Sequence, residues 1–171
     1  MEAMQNLLQR RSVRKYTDQQ VPEELLDQVL EAGLYAASGM NSQVSVMVAV
    51  TDRQTRDQLS RMNAAVMGTD TDPFYGAPCV VVVLADPERY TWVEDASLVM
   101  GNLMNAAHAV GLGSCWIHRA RNMFDSEEGK ALLRAWGLPE NLRGVGNCIL
   151  GYPVEVPAPR ERLDGRIVKI G

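Results

Sequence analysis

Near the start of the chain, Gln9-Arg10-Arg11-Ser12-Val13-Arg14-Lys15-Tyr16 packs four cations and a hydroxyl into eight residues. The stretch follows a short amphipathic helix in which Met4, Leu7 and Leu8 share one face that continues to Arg11. A helix C-terminus is the negative end of the helix and offers no free N–H, so side chains must grip any anion held here. Beyond the helix the chain is expected to extend, which puts Ser12 and Arg14 on the same side. A hydroxyl and one or two guanidiniums converging on a point suit a phosphate monoester, since arginine presents paired, planar donors. The competing reading is a solvated basic helix end.

Other residue groups could share that chemistry. Arg160 and Arg162 sit two apart in the C-terminal tail, on one side of an extended segment, and could reach a phosphate or merely be solvated. Gly111-Leu112-Gly113-Ser114-Cys115-Trp116 sets glycines beside a β segment and a tryptophan. Glycine there lets backbone approach a flat ligand and donate N–H groups to it; a helix C-cap followed by a core strand explains it equally well. His118 is a candidate donor to a substrate, yet no Asp or Ser stands near it as a triad needs, and His108 lies on an apolar helix. Cys79, Cys115 and Cys148 lie among apolar residues with no metal-ligand spacing, so reduced thiols in a cytoplasmic protein and no metal are expected.

The elements that must position these groups alternate along the chain. Pro22, Glu23 and Glu24 open a helix with Leu25, Leu26, Val29, Leu30 and Gly33 at helical spacing to about Ala37. A small polar stretch, Ala37 to Gln43, leads into a strand from Val44 to Val50. Asp52 caps a helix to about Met67, and Gly68 to Pro78 is a loop. Cys79 to Ala85 shows no alternation and reads as a strand covered on both faces. Thr91 and Glu94 have capping-box spacing and open the longest helix, to about Val110. It is apolar nearly all round, which marks a core or subunit-interface helix. Ser114 to Ile117 is strand-like, a helix with Asp125 and Glu128 at its start follows, and Val145 to Leu150 is the last core strand. Arg166 to Ile170 alternates like a strand with no sequence neighbour to pair with, so it is expected to complete a partner's sheet. The order is irregular, which predicts an α+β fold with a mixed or antiparallel sheet in one domain, residues 1–171.

The 171 residues are enough to bury a full core, and the formal net charge of −4 argues against a general nucleic-acid binder. The longest apolar run, Ala77 to Ala85, is too short to span a bilayer, so no membrane partner is expected.

Taken together, these fragments resemble the small FMN-dependent nitroreductase family over most of the chain. The matching pieces are Arg10-Arg11-Ser12-Val13-Arg14, Ser38-Gly39-Met40-Asn41-Ser42-Gln43, Gly111 to Ile117, Gly151-Tyr152-Pro153 and the Arg160/Arg162 pair. The resemblance implies FMN held in a groove between two intertwined subunits whose C-terminal tails, residues 153–171, cross to the partner. It implies that Arg10, Ser12, Arg14, Arg160 and Arg162 hold the phosphate, ribityl chain and pyrimidine edge, with Arg11 sharing the work. Ser38, Gly39 and Asn41 are implied to contact the flavin from the other subunit. Trp116, Ile117, His118 and Arg119 are implied to lie along the ring, with an N–H of His118 or Arg119 donating to N5. Asn63 is matched to an asparagine that some members place at the pyrimidine. The implied activity passes reducing equivalents from NADH or NADPH through FMN to nitroaromatics, quinones or similar planar acceptors. The flavin carries the chemistry, no side chain is catalytic, and His118 is a candidate substrate contact. A specialised flavin dehydrogenase or dehalogenase, or a non-catalytic FMN-binding protein, are the alternatives. Where many members carry proline the chain has Ala37 and Val44, and where many have a small or acidic residue it has His118-Arg119. The short Gly68–Pro78 loop implies a minimal lid over the flavin.

Overall fold

The computed structural model describes residues 2–171. Four strands, β1 (Ser45–Val50), β2 (Cys79–Ala85), β3 (Gly113–Ile117) and β4 (Arg143–Gly151), form one sheet in the order β1-β2-β4-β3. Every pairing between them is antiparallel. Between them stand α1 (Ala3–Gln9), α2 (Glu23–Leu34), α3 (Arg53–Met67), α4 (Trp92–Ala109), α5 (Ala120–Asp125) and α6 (Glu127–Ala135).

β2 explains the layering. All seven of its residues are buried, because successive side chains enter opposite cores. Val81 and Val83 pack with Leu26, Val29, Met100 and Leu103 of α2 and α4. Val80, Val82 and Leu84 pack with Leu59, Phe124 and Leu133 of α3, α5 and α6. Each such fully buried aliphatic or aromatic side chain contributes about 1.5–3 kcal/mol from burial. Gly144 keeps the sheet against α5, since a Cβ there would stand 2.3 Å from the Ala120 carbonyl oxygen.

Several local expectations need correction. The Met4, Leu7 and Leu8 face of α1 is exposed, and Asn6 is the buried residue of that helix. Asn6 Nδ2 donates to the Asn105 carbonyl at 2.9 Å, which leaves its Oδ1 to accept from His108 Nδ1 at 2.7 Å. Two polar bonds therefore dock α1 on α4, and the apolar stripe is left uncovered. α2 ends at Leu34, short of Ala37. The helix expected near Asp125 is two helices, and Ser126, not Asp125, caps the second by accepting from Gly129 N–H. Thr91 does not cap α4 through its side chain; its hydroxyl donates to Asp95 instead. Residues 154–171 are exposed throughout, and 166–170 form no strand within the chain. Both edges of the sheet differ accordingly: Ser12 bridges to Ser114 beside β3, whereas β1 pairs on one side alone.

The Gly68–Pro78 loop is fastened to α3. The buried Arg56 donates to the Ala77 carbonyl at 2.9 Å and to Asp72 at 2.6 Å. Asp72 also accepts from the Ser60 hydroxyl and from the N–H groups of Phe74 and Gly76. Partial burial raises the Asp72 pKa, but the bonds from Arg56, Ser60, Gly76 and Phe74 outweigh it and hold the carboxyl below its ordinary 3.8. A carboxylate depressed in the folded state stabilises above its ordinary pKa, and that contribution is lost as pH falls through the folded value. Asp72→Ala should lower stability near neutral pH by about 1–2 kcal/mol, discounted for the solvent reaching Asp72. It should also flatten the loss of stability below pH 3.8. Denaturant titrations of both proteins across that range check this.

Candidate functional site

The basic stretch is built onto the start of β3. Val13 N–H donates to the Ser114 carbonyl at 2.9 Å, and Thr17 N–H donates to the Tyr152 carbonyl at 2.9 Å. Val13 is buried, and a Cβ on Gly113 would meet it at 2.9 Å, so glycine is needed for this close approach. With Val13 directed into the core, extended geometry turns Ser12 and Arg14 the other way. The Cys115 thiol registers their position: burial raises its pKa, while Arg14, Ser12 and Arg10 pull it down. All three residues therefore lie in the neighbourhood of Cys115 on β3. Lys15 is engaged elsewhere, in an exposed ion pair with Glu155 at 2.8 Å.

Two guanidinium nitrogens here lack acceptors among the described residues. Arg11 Nη1 donates to the Leu8 and Arg10 carbonyls, yet among the described residues Arg10 Nη1 and Arg11 Nε are buried with no partner. Buried cationic donors without acceptors are costly unless an anion completes them. The same cations act on neighbouring His108: burial lowers its pKa, and Arg10 and Arg11 lower it further.

At the other end of β3, roughly 13 Å along at about 3.3 Å per residue, lies a turn built on Arg119 in the left-handed region at φ 74°. Asn63, fully buried, donates to the His118 carbonyl at 2.7 Å and accepts from Arg119 Nε at 3.1 Å. Asn63 therefore supports this turn from inside the protein, which differs from the contact at the pyrimidine that the resemblance implied. Asn147, also fully buried, directs its Nδ2 at the Ile117 and His118 carbonyls at 3.4 and 3.5 Å. Trp116 is half-buried against Gly146, Ile117 is buried, and the His118 side chain is exposed.

The Ser38–Gln43 segment is a third feature. Met40, Asn41 and Gln43 all have positive φ, 53°, 55° and 49°, a conformation that costs side-chain-bearing residues and needs outside support. Asp95, 3% exposed, supplies it from the first turn of α4. Its carboxylate accepts from Gly39 N–H at 2.8 Å, from the Thr91 hydroxyl at 3.0 Å and from the Ser42 hydroxyl at 3.1 Å. Gly39 fits so closely that a Cβ would stand 2.5 Å from Thr91 Oγ1. The anchoring role of Asp95 is hidden in the sequence because Gly39 and Ser42 lie more than fifty residues away; an acidic residue on an otherwise apolar helix face is the signal that was there. Asp95→Ala should release this turn and expose Met40–Gln43 to proteolysis while α4 stays folded; unchanged cleavage kinetics would contradict that role.

The structure thus keeps Arg10, Arg11, Ser12 and Arg14 in one segment beside β3, and separately gathers Trp116, Ile117, His118, Arg119 and Asn63 at the other end of that strand. Arg160 and Arg162 are exposed in the tail, and among the described residues their side chains make no bond to the rest of the chain. A cleft of about 770 Å³ against α3 and the 68–78 loop contains none of the flavin-site residues expected from the sequence. Among its charged lining residues, Arg56 already pairs with Asp57 and Asp72.

Comparison with known proteins gives consistent results. The model of the nitroreductase family matches residues 7–152. A protein of Archaeoglobus fulgidus, provisionally named an NADH dehydrogenase/NAD(P)H nitroreductase, is 34% identical over 158 residues, covering 89% of this chain and 86% of its own. The NADPH-flavin oxidoreductase of Vibrio harveyi is 28% identical, over 96% of this chain and 71% of its own. A crystal structure of a nitroreductase with bound FMN from Bacteroides fragilis superimposes with a TM-score of 0.91 at 29% identity, covering all of both chains.

Proposed function

The chain belongs to the nitroreductase family, and from that premise we propose how it works as an FMN-dependent oxidoreductase using NADH or NADPH. The observation that carries the reading is the pair of buried guanidinium atoms on Arg10 and Arg11 that have no acceptor among the described residues. A phosphate monoester supplies the missing acceptors, and Ser12 and Arg14 stand beside them to complete its coordination. The residues present therefore fit the group.

Bound FMN would supply hydride chemistry between a nicotinamide donor and a planar acceptor. The protein contributes binding, orientation and charge. Arg10, Arg11, Ser12 and Arg14 hold the phosphate end. The Arg119 N–H, which has no acceptor among the described residues, would donate to the flavin ring, and Trp116 and Ile117 would support it. Positive charge around the site favours the negative charge that builds on the ring system. Solvent water delivers protons to a nitro group or quinone, so no side chain need be a general acid. The exposed His118 imidazole meets the incoming substrate.

The site is completed by a second copy. Ser38, Gly39 and Asn41 of one subunit contact the flavin of the other, and the tail carries Arg160 and Arg162 across to it. Two unpartnered features support this: the exposed apolar side chains Met4, Leu7 and Leu8 of α1, and Leu163, Ile167, Val168 and Ile170 of the tail. The open edge of β1 is the place where the alternating segment 166–170 adds a strand, which also protects an edge that otherwise invites aggregation.

Anaerobic titration tests the reading. Purified protein loaded with FMN should be yellow and bleach on addition of NADH or NADPH, and a nitroaromatic or quinone should restore the colour. Protein that takes up no FMN, or whose bound flavin neither nicotinamide reduces, would overturn it.

A further inference from the structure

We propose that Asn63 and Asn147 are positioning residues that set the redox potential of the bound flavin, by fixing and polarising the peptide between His118 and Arg119. The proposal rests on the FMN reading above.

The geometry starts from one carbonyl. The His118 oxygen accepts from Asn63 Nδ2 at 2.7 Å and from Asn147 Nδ2 at the longer distance of 3.5 Å. Both asparagines are fully buried, so the carbonyl is directed into the protein. No cis peptide occurs among the described residues, and a planar trans peptide holds its C=O and the following N–H in opposite directions. The Arg119 N–H is therefore directed outward, and it has no acceptor among the described residues. The left-handed φ of 74° at Arg119 keeps the turn in this orientation.

The same contacts alter donor strength. Arg119 Nε donates to Asn63 Oδ1 at 3.1 Å, Asn63 Nδ2 donates to the His118 carbonyl, and that carbonyl belongs to the peptide whose N–H faces out. The chain of hydrogen bonds begins at a guanidinium and ends at a free amide. Each bond polarises the next, and the low dielectric around buried Asn63 strengthens the effect. Asn147 has the same purpose from β4, at the expense of a buried Oδ1 left without a partner. If these amides merely satisfied a buried carbonyl, one good donor at 2.7 Å would be enough.

The consequence is selective for one oxidation state. In oxidised flavin N5 is an acceptor for an outward N–H; in reduced flavin N5 carries its own hydrogen. A strengthened donor therefore favours oxidised over reduced flavin, and weakening it makes the flavin easier to reduce.

The test is the two-electron midpoint potential of bound FMN in Asn63→Leu, which removes the donor while keeping the same branched heavy-atom skeleton. Oxidised FMN should bind about tenfold more weakly while reduced FMN is little affected, a positive shift of about 29.6 mV for two electrons. Asn147→Leu removes a second, longer donor together with the unpartnered oxygen, and should shift the potential the same way by a smaller step. If Asn63→Leu does not fold, Asn147→Leu decides alone. Equal weakening of both oxidation states, with the potential unmoved, would mean a structural role only and overturn the proposal. Failure of the unsubstituted protein to take up FMN would overturn the parent reading instead, so the two failures are distinct.

Discussion

Deleting residues 157–171 should leave a monomer that no longer retains FMN. The tail carries Leu163, Ile167, Val168 and Ile170, all exposed in the single chain. Burying an aliphatic side chain of this kind is favourable by about 1.5–3 kcal/mol. Even after the cost of association, losing four should weaken dimerisation by on the order of a thousandfold or more, about 4 kcal/mol. The deletion also removes Arg160 and Arg162, and with them the cations the partner brings to the phosphate end. The fold itself should survive, because no residue of this segment packs into either core. Sedimentation and circular dichroism together check this: a folded deletion protein that stays dimeric and yellow would contradict the role given to the tail.

Arg14→Ala should weaken FMN binding by about 1.5–3 kcal/mol, the scale of a hydrogen bond to a charged group, which is roughly ten- to a hundredfold in dissociation constant. Arg14 is exposed and its charge is felt at Cys115 beside Ser12, so it can turn toward a phosphate without disturbing the core. Lys15→Ala is the matched control. Lys15 is adjacent in sequence and equally cationic, but it pairs with Glu155 in solvent, and exposed pairs of this kind contribute little. Its replacement should leave flavin affinity nearly unchanged. Equal losses in both variants would mean that the cluster attracts FMN by general charge, without a built phosphate site.

These expectations show which features a sequence exposes and which it hides. The unbroken apolar run at Cys79–Ala85 meant a strand covered on both faces, and β2 is buried along its whole length. The basic stretch after the first helix meant an extended segment with Ser12 and Arg14 turned one way, and the buried Val13 between them agrees. Such features depend on neighbours a few residues apart. What was hidden depends on distant ones. Asp95 anchors a turn more than fifty residues away, and Asn63 and Asn147 converge on one carbonyl from α3 and β4. Nothing in their local sequence distinguishes them from ordinary polar residues. Asn6 is similar: the periodicity of α1 pointed to Met4, Leu7 and Leu8, but contacts with α4 bury the amide and leave the apolar face outward. The 166–170 segment alternates like a strand yet pairs with nothing in its own chain, since an added strand needs an edge to add to and that edge is proposed to belong to another copy.

Two copies of this chain are proposed to make the flavin site together, with arginines from both ends of the polypeptide around the phosphate. Sedimentation velocity followed at both the protein and the flavin absorbance puts this arrangement to the test. A single boundary at the mass of a dimer, carrying one FMN per chain, is expected. A flavin-loaded monomer, or a dimer sedimenting apart from the flavin colour, would contradict it.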